Sequence, residues 1–383
     1  MKRYAEIIGW GKHLPQQVVT NDDLARTIDT SDRWIREHTG IRERRIAGPG
    51  ETSVAMGAAA ARAALAVAEL KPTDVDLIIF SSYTPDYQFP GGAPMLQKEL
   101  GATHAAAFDL RAGCPGFLFG VSVASQFIAN GAYRRVLVVA AEVVSQFVNW
   151  QDRRSCVLFG DGAGAVVLEA SARRTGVLHT ALGTQGADYD AMIFRGAGSR
   201  HPITAEPFSD ELRFLQTDGQ RVLNFAVRTV TTRLKQELVL GGAEMEDIAL
   251  VIPQQSNLNF MHWLCKKLGF PTERVFVNVE RYANTSSASI AIALCEAFEQ
   301  GRINEGDDVL LLSFGAGLNW ASVLVRCGVR EGEDETSLEP ATILAGVQHM
   351  LRHARAMAEV GVSNLTSAVS LALLPFFTRS SKK

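Results

Sequence analysis

Short, wholly apolar runs alternate along this chain with longer alanine-rich stretches. Leu77-Ile-Ile-Phe80, Val136-Leu-Val-Val139, Val157-Leu-Phe159, Ala165-Val-Val-Leu168, Leu250-Val-Ile252 and Val309-Leu-Leu-Leu312 carry no polar position. A run apolar on both faces predicts a strand covered from both sides. Residues 53–70, 115–130, 219–240, 257–268 and 286–300 carry the longer helical pattern. The alternation predicts an α/β protein whose sheets lie between helical layers. The pattern also repeats. Asp74-Val-Asp-Leu-Ile-Ile-Phe-Ser-Ser82 parallels Asp247-Ile-Ala-Leu-Val-Ile-Pro-Gln-Gln255, and Phe127-Ile-Ala-Asn-Gly131 before Val136 parallels Phe298-Glu-Gln-Gly301 before Val309. Asn130 and Gln300 lie 170 positions apart, and the same step from Cys114 reaches Asn284. The expectation is two related halves, residues 1–172 and 173–327, with Cys114 and Asn284 at equivalent helix starts.

Past residue 327 the character changes. Arg330-Glu-Gly-Glu-Asp-Glu-Thr-Ser337 reads as an acidic linker. Ile343, Leu344, Val347, Met350, Leu351, Ala354, Met357 and Ala358 then follow helical period, and Val362, Leu365, Val369, Ala372, Leu373 and Phe376 form a second apolar face. Residues 328–383 are thus expected to be a linker and a helical extension. The extension suits packing on the body or on a dimer mate. Its basic end leaves a membrane surface as the alternative.

Composition narrows the class. The 383 residues are 47% hydrophobic and 21% charged, with a net charge of −3. That fits a large globular core and gives no overall basic field for nucleic acid. Five cysteines without a CxxC pair point to a reducing compartment, and with no leader or spanning run expected, the cytoplasm is the predicted location. His349 and His353 share a metal-binding spacing, but Met-Leu-Arg between them offers no catalytic carboxylate, so no metal is expected. Gly160-Asp-Gly-Ala-Gly-Ala165 superficially fits a dinucleotide fingerprint; the Val166-Val-Leu-Glu169 that follows reads as strand, which excludes it.

Cys114 is the candidate nucleophile. In Phe108-Asp-Leu-Arg-Ala-Gly-Cys114-Pro115 a short apolar run ends in a turn and the thiol stands where a helical pattern begins. A helix N-terminus favours the thiolate. A buried structural cysteine is the competing reading. Cys156, Cys265, Cys295 and Cys327 sit in or at the end of apolar runs and read as structural.

Five stretches, in order, carry a resemblance: Thr30-Ser-Asp-Arg-Trp-Ile-Arg-Glu-His-Thr-Gly-Ile-Arg-Glu-Arg44, the Cys114 segment, Phe159-Gly-Asp-Gly-Ala-Gly-Ala165, Arg281-Tyr-Ala-Asn-Thr-Ser-Ser-Ala-Ser289 and Phe314-Gly-Ala-Gly-Leu-Asn-Trp320. Residues 1 to about 327 resemble β-ketoacyl-acyl-carrier-protein synthase III, a condensing enzyme of the thiolase fold. The resemblance implies a five-layer αβαβα homodimer with no permanently bound cofactor. It implies that Cys114 takes an acyl group from acyl-CoA and that a malonyl thioester on acyl-carrier protein then enters and condenses with it, as in fatty acid or polyketide-type biosynthesis. It places the backbone N–H groups of Cys114 and Ala316 on the acyl oxygen, and the Asn284 amide on the malonyl thioester. Trp34 and Arg153 match positions that sandwich the adenine of CoA. Phe89 matches a loop reaching into the partner's acyl pocket, and Lys266 and Lys267 match the docking patch for acyl-carrier protein.

One catalytic position departs from the family. Gln254 stands where the family usually has histidine. An amide donates a hydrogen bond but takes up no proton near neutral pH. Three readings follow. Decarboxylative condensation persists in weakened form, which is the leading one; the site has turned to plain acyl transfer to an alcohol, amine or carrier thiol; or the chain is an inactive partner subunit.

Overall fold

The computed structural model describes residues 3–202, 204 and 209–328. The expected linker, the helical extension and the His349/His353 pair all lie outside the described residues. Within them, the strands used below are β1 (Tyr4–His13), β2 (Leu77–Ser81), β3 (Ala106–Leu110), β4 (Arg135–Glu142), β5 (Gly162–Ser171), β6 (Gly176–Thr184), β7 (Ile248–Pro253), β8 (Asp307–Gly315) and β9 (Asn319–Cys327). The helices are α1 (Asp32–Thr39), α2 (Ser53–Val67), α3 (Gly92–Leu100), α4 (Gly116–Ala129), α5 (Gly219–Gly241), α6 (Leu258–Lys267) and α7 (Ala288–Glu299).

The strands form two main sheets, ordered β1-β5-β4-β2-β3 and β7-β8-β9-β6. In the first, β2 runs parallel to β3 and β4, and β4–β5 and β5–β1 are antiparallel. In the second, β7 is parallel to β8, and β8–β9 and β9–β6 are antiparallel. The order and sense match strand for strand: β7 takes the place of β2, β8 that of β4, β9 that of β5 and β6 that of β1. The counterpart of β3 is reduced to one parallel bridge between Val251 and Val275. The fold is thus a duplicated thiolase architecture.

Helices α4 and α7 lie between the sheets and share one hydrophobic core with the inner faces of both. Of α7's twelve residues ten are buried, which follows from contact on every side. Helices α2 and α3 cover the outer face of the first sheet, and α5 and α6 that of the second. Five layers, αβαβα, result. Glu296, buried on α7, is held by the Tyr282 hydroxyl (2.7 Å), the Arg281 guanidinium (2.7 Å) and the Asn278 amide (3.2 Å), the pairing that a buried charge requires.

One expected strand is absent. Val157-Leu-Phe159 follows a helical turn, Arg153–Cys156, whose start is capped by the Asp152 side chain. Val157 is that turn's C-cap, and only Phe159 makes a bridge, to Asn284. The run is apolar because it packs in a separate cluster with Ile35, Ile41 and Met261. The strand after Gly160-Asp-Gly is present as β5.

Candidate active site

The residues of interest meet where strands β3, β4, β7 and β8 end, the usual place for a ligand crevice in α/β sheets. Cys114 lies in the turn between β3 and α4, two residues before the helix begins. Ala316 lies in the turn from β8 to β9, Gln254 follows β7 directly, and Asn284 lies four residues before α7. Close approach requires glycine at two points. A Cβ on Gly315 would stand 2.9 Å from the Cys114 sulfur, and one on Gly113 would stand 2.6 Å from the Ala316 carbonyl oxygen. Gly113 also has φ +69°.

The Ser286 hydroxyl and the backbone N–H groups of Cys114 and Ala316 act to lower the pKa of the Cys114 thiol. They do not make it acidic. The thiol is 5% exposed, and burial, with the nearby Glu142 carboxylate, pushes its pKa up to about 11. This corrects the expectation that the helix terminus favours the thiolate: desolvation of the charged form outweighs the donors.

Gln254 is buried and fully engaged. Its Nε2 donates to Asn284 Oδ1 (3.1 Å) and to the Ser286 carbonyl (3.1 Å), and its Oε1 accepts from the Ser313 hydroxyl (2.7 Å). Both amide hydrogens therefore have protein acceptors. The same Asn284 oxygen accepts from the Ser286 N–H (2.9 Å), leaving the Asn284 Nδ2 group as the side-chain donor of the pair. Ser286 has φ +52°, a conformation that a non-glycine residue keeps only when its surroundings hold it. Here Gln254 and Asn284 grip its carbonyl and its N–H.

A cavity of about 390 Å³ opens over the thiol. Arg111, Glu142 and Ser286 line it beside Cys114, and Phe147, Phe194 and Leu215 make its apolar wall. Asn284 and Gln254 sit behind Ser286, outside that lining. Glu142, Ser286 and Ser313 were not singled out from the sequence. Glu142 had one visible signal, a carboxylate closing a strand that is apolar from Val136 to Ala141, and such charges gather at functional sites.

The remaining candidates lie on the surface. The Arg153 guanidinium is 4.9 Å from the centre of the Trp34 ring, and His38 stacks on Trp34 at 4.3 Å. A base inserted between Trp34 and Arg153 needs about 3.5 Å on each side, so Arg153 must swing away to admit it. Its present anchor is the Asp29 carbonyl at 3.0 Å. Phe89 is 92% exposed, in the loop before α3, and is not among the residues lining its own chain's cavity. Lys266 and Lys267 are exposed in the last turn of α6.

Comparisons with known proteins point to one family. A family model described as 3-Oxoacyl-[acyl-carrier-protein (ACP)] synthase III matches residues 108–186, and the model of its C-terminal part matches residues 240–327. Beta-ketoacyl-[acyl-carrier-protein] synthase III of Roseiflexus castenholzii is 47% identical over 326 residues, covering 85% of this chain and 99% of that protein. The protein of the same name from Symbiobacterium thermophilum is 46% identical over 322 residues, 84% of this chain and 98% of its own. Among solved structures, 3-oxoacyl-[acyl-carrier-protein] synthase III of Aquifex aeolicus superposes with a TM-score of 0.78 at 41% identity, covering 84% of this chain and 99% of that one. The priming β-ketosynthase of the R1128 polyketide pathway gives 0.80 at 34%, covering 85% and 97%.

Proposed function

The chain belongs to the 3-oxoacyl-[acyl-carrier-protein] synthase III family of condensing transferases, and from that premise we propose that it transfers acyl groups through a Cys114 thioester to a malonyl acceptor. The observation that carries this reading is a buried cysteine lining a cavity of about 390 Å³, with the Ala316 turn packed tightly against its own. In the first step the thiolate attacks the acyl-CoA carbonyl. Its oxygen gains negative charge, which the N–H groups of Cys114 and Ala316 stabilise. CoA leaves as the thiol, and an acyl-enzyme remains. In the second step a malonyl thioester loses carbon dioxide. The resulting enolate attacks the acyl carbonyl, and the Cys114 thiolate departs. Asn284 Nδ2 is the donor for the enolate oxygen in this scheme.

The substrates are acyl-CoA and malonyl-acyl-carrier protein. Trp34 and Arg153 would hold the adenine, and Lys266 and Lys267 the acidic carrier. The working form is a homodimer in which Phe89 completes the partner's acyl pocket. The division into residues 1–172 and 173–327 is part of the same reading. One observation favours a second outcome: both Gln254 amide hydrogens are engaged inside the protein. That leaves the enolate oxygen one side-chain donor short of the family pattern and supports slow condensation, or plain acyl transfer to another nucleophile.

Intact-protein mass after incubation with a panel of acyl-CoAs tests the first step. A single acyl mass is expected, absent in Cys114→Ala, with the preferred chain lengthened in Phe89→Ala. Carbon dioxide release from malonyl-carrier protein tests the second and should fall about 100-fold in Asn284→Ala. An acylated enzyme that never releases carbon dioxide would leave the plain transferase. No adduct with any donor would sink both and leave the inactive partner subunit.

A further inference from the structure

With histidine gone from position 254, the thiol of Cys114 still needs a proton acceptor, and the cavity contains one. Glu142 closes β4 and is fully buried. Its Oε2 accepts from the Thr84 hydroxyl (2.8 Å), the Tyr83 N–H (3.1 Å) and the Ser82 hydroxyl (3.5 Å). Its Oε1 accepts from the Ser287 hydroxyl (2.7 Å) and from the Ser286 hydroxyl (3.2 Å). Ser286, Glu142 and Cys114 also line the same cavity. One hydroxyl thus bonds the buried carboxylate and shares the cavity with the thiol, in a backbone conformation that Gln254 and Asn284 fix.

We propose that Glu142 is the proton acceptor for Cys114, reached through the Ser286 hydroxyl, and that Gln254 is a positioning residue for that hydroxyl. The S–H bond breaks and its electron pair stays on sulfur. The proton passes to Ser286 Oγ as the serine's own proton moves to Glu142 Oε1. The products are a thiolate and a neutral carboxyl. When the thioester of acyl-CoA breaks, the departing CoA sulfur recovers that proton by the same route. The transfer removes a like-charge clash, because burial and the donors around it set a Glu142 carboxylate close to the site of the new negative charge. Burial holds the Glu142 carboxyl above its ordinary pKa, which suits an acceptor working near neutral pH. Tyr83, Arg111, Cys114 and Tyr189 are the other titratable or charged groups that line this cavity, and its described lining holds no histidine.

This proposal names the base for the acyl-transfer reading above, but its test does not need acyl transfer. Alkylation of Cys114 by iodoacetamide, followed by mass on the whole chain from pH 6 to 10, reports the thiolate directly. An internal acceptor gives a plateau, with less than about threefold change between pH 7 and 9, since the proton only moves between two groups of the protein. A thiol with a pKa near 11 and no acceptor gains about tenfold per pH unit over that range. Glu142→Gln and Ser286→Ala should both replace the plateau by the tenfold slope and lower the rate at pH 7 at least tenfold. Ser286→Ala leaves Glu142 its other four donors, so it decides the matter if Glu142→Gln does not fold. A plateau retained in Ser286→Ala, or absent from the unaltered protein, overturns the proposal and leaves acyl transfer through Cys114 standing.

Discussion

Gln254 makes three hydrogen bonds to protein groups at a position where the family usually supplies an imidazole. A histidine there is expected to direct one ring N–H into the cavity and to give up part of the grip on Ser286. Gln254→His should therefore raise carbon dioxide release from malonyl-carrier protein at least about tenfold, measured with the acyl-enzyme already formed. An unchanged rate would mean that the rest of the decarboxylation site no longer works. The residue change was legible in the chain, since Ile252-Pro-Gln-Gln-Ser-Asn257 interrupts an otherwise familiar set of motifs. What the amide does was not legible, because its partners come from the segments around Asn284 and Ser313, far away in sequence. The acidity of Cys114 failed for a related reason. The local pattern shows a helix start but not how deeply the sulfur is buried, and burial decides the sign.

Among the elements, the apolar runs gave the central strands and the long helices, because a strand or helix covered on several sides needs no polar face. Strands β1, β6 and β9 escaped that reading; polar residues such as Glu6, His179 and Ser322 break their runs. Helix α3 escaped it as well, and its start explains why. Gly91 at its N-cap offers no side-chain oxygen. The cap comes instead from Asp109 on β3, whose carboxylate accepts from the N–H of Gly92 (2.7 Å) and of Ala93 (3.1 Å). A cap borrowed from another element leaves no signal beside the helix it serves. Asp109→Ala should cost about 1–2 kcal/mol, read from urea unfolding, and should loosen the loop that carries Phe89. A loss within error of zero would mean that water replaces the carboxylate.

For the molecule as a whole, the repeat in the hydrophobic pattern pointed to two related halves; the matching order and sense of four strands in each sheet came from the structure. The second half's missing fifth strand was not visible, since Val275-Phe276 is apolar enough to suggest one and only one bridge forms. The middle layer takes one helix from each half, α4 and α7. Residues 1–172 expressed alone are therefore expected to bind a hydrophobic dye and show no sharp thermal transition, while the chain to residue 328 unfolds cooperatively; a folded, dye-free fragment would refute this. The same shared layer governs what happens on the ribosome. The first sheet is complete once Ser171 has been made, yet the helix that closes its inner face ends at Glu299. At ordinary translation rates that gap lasts roughly 6–26 s. For that interval the nascent chain displays a finished sheet whose inner face is covered by α4 alone, so its yield in the cell depends on how quickly a chaperone reaches it and on how evenly the second half is translated.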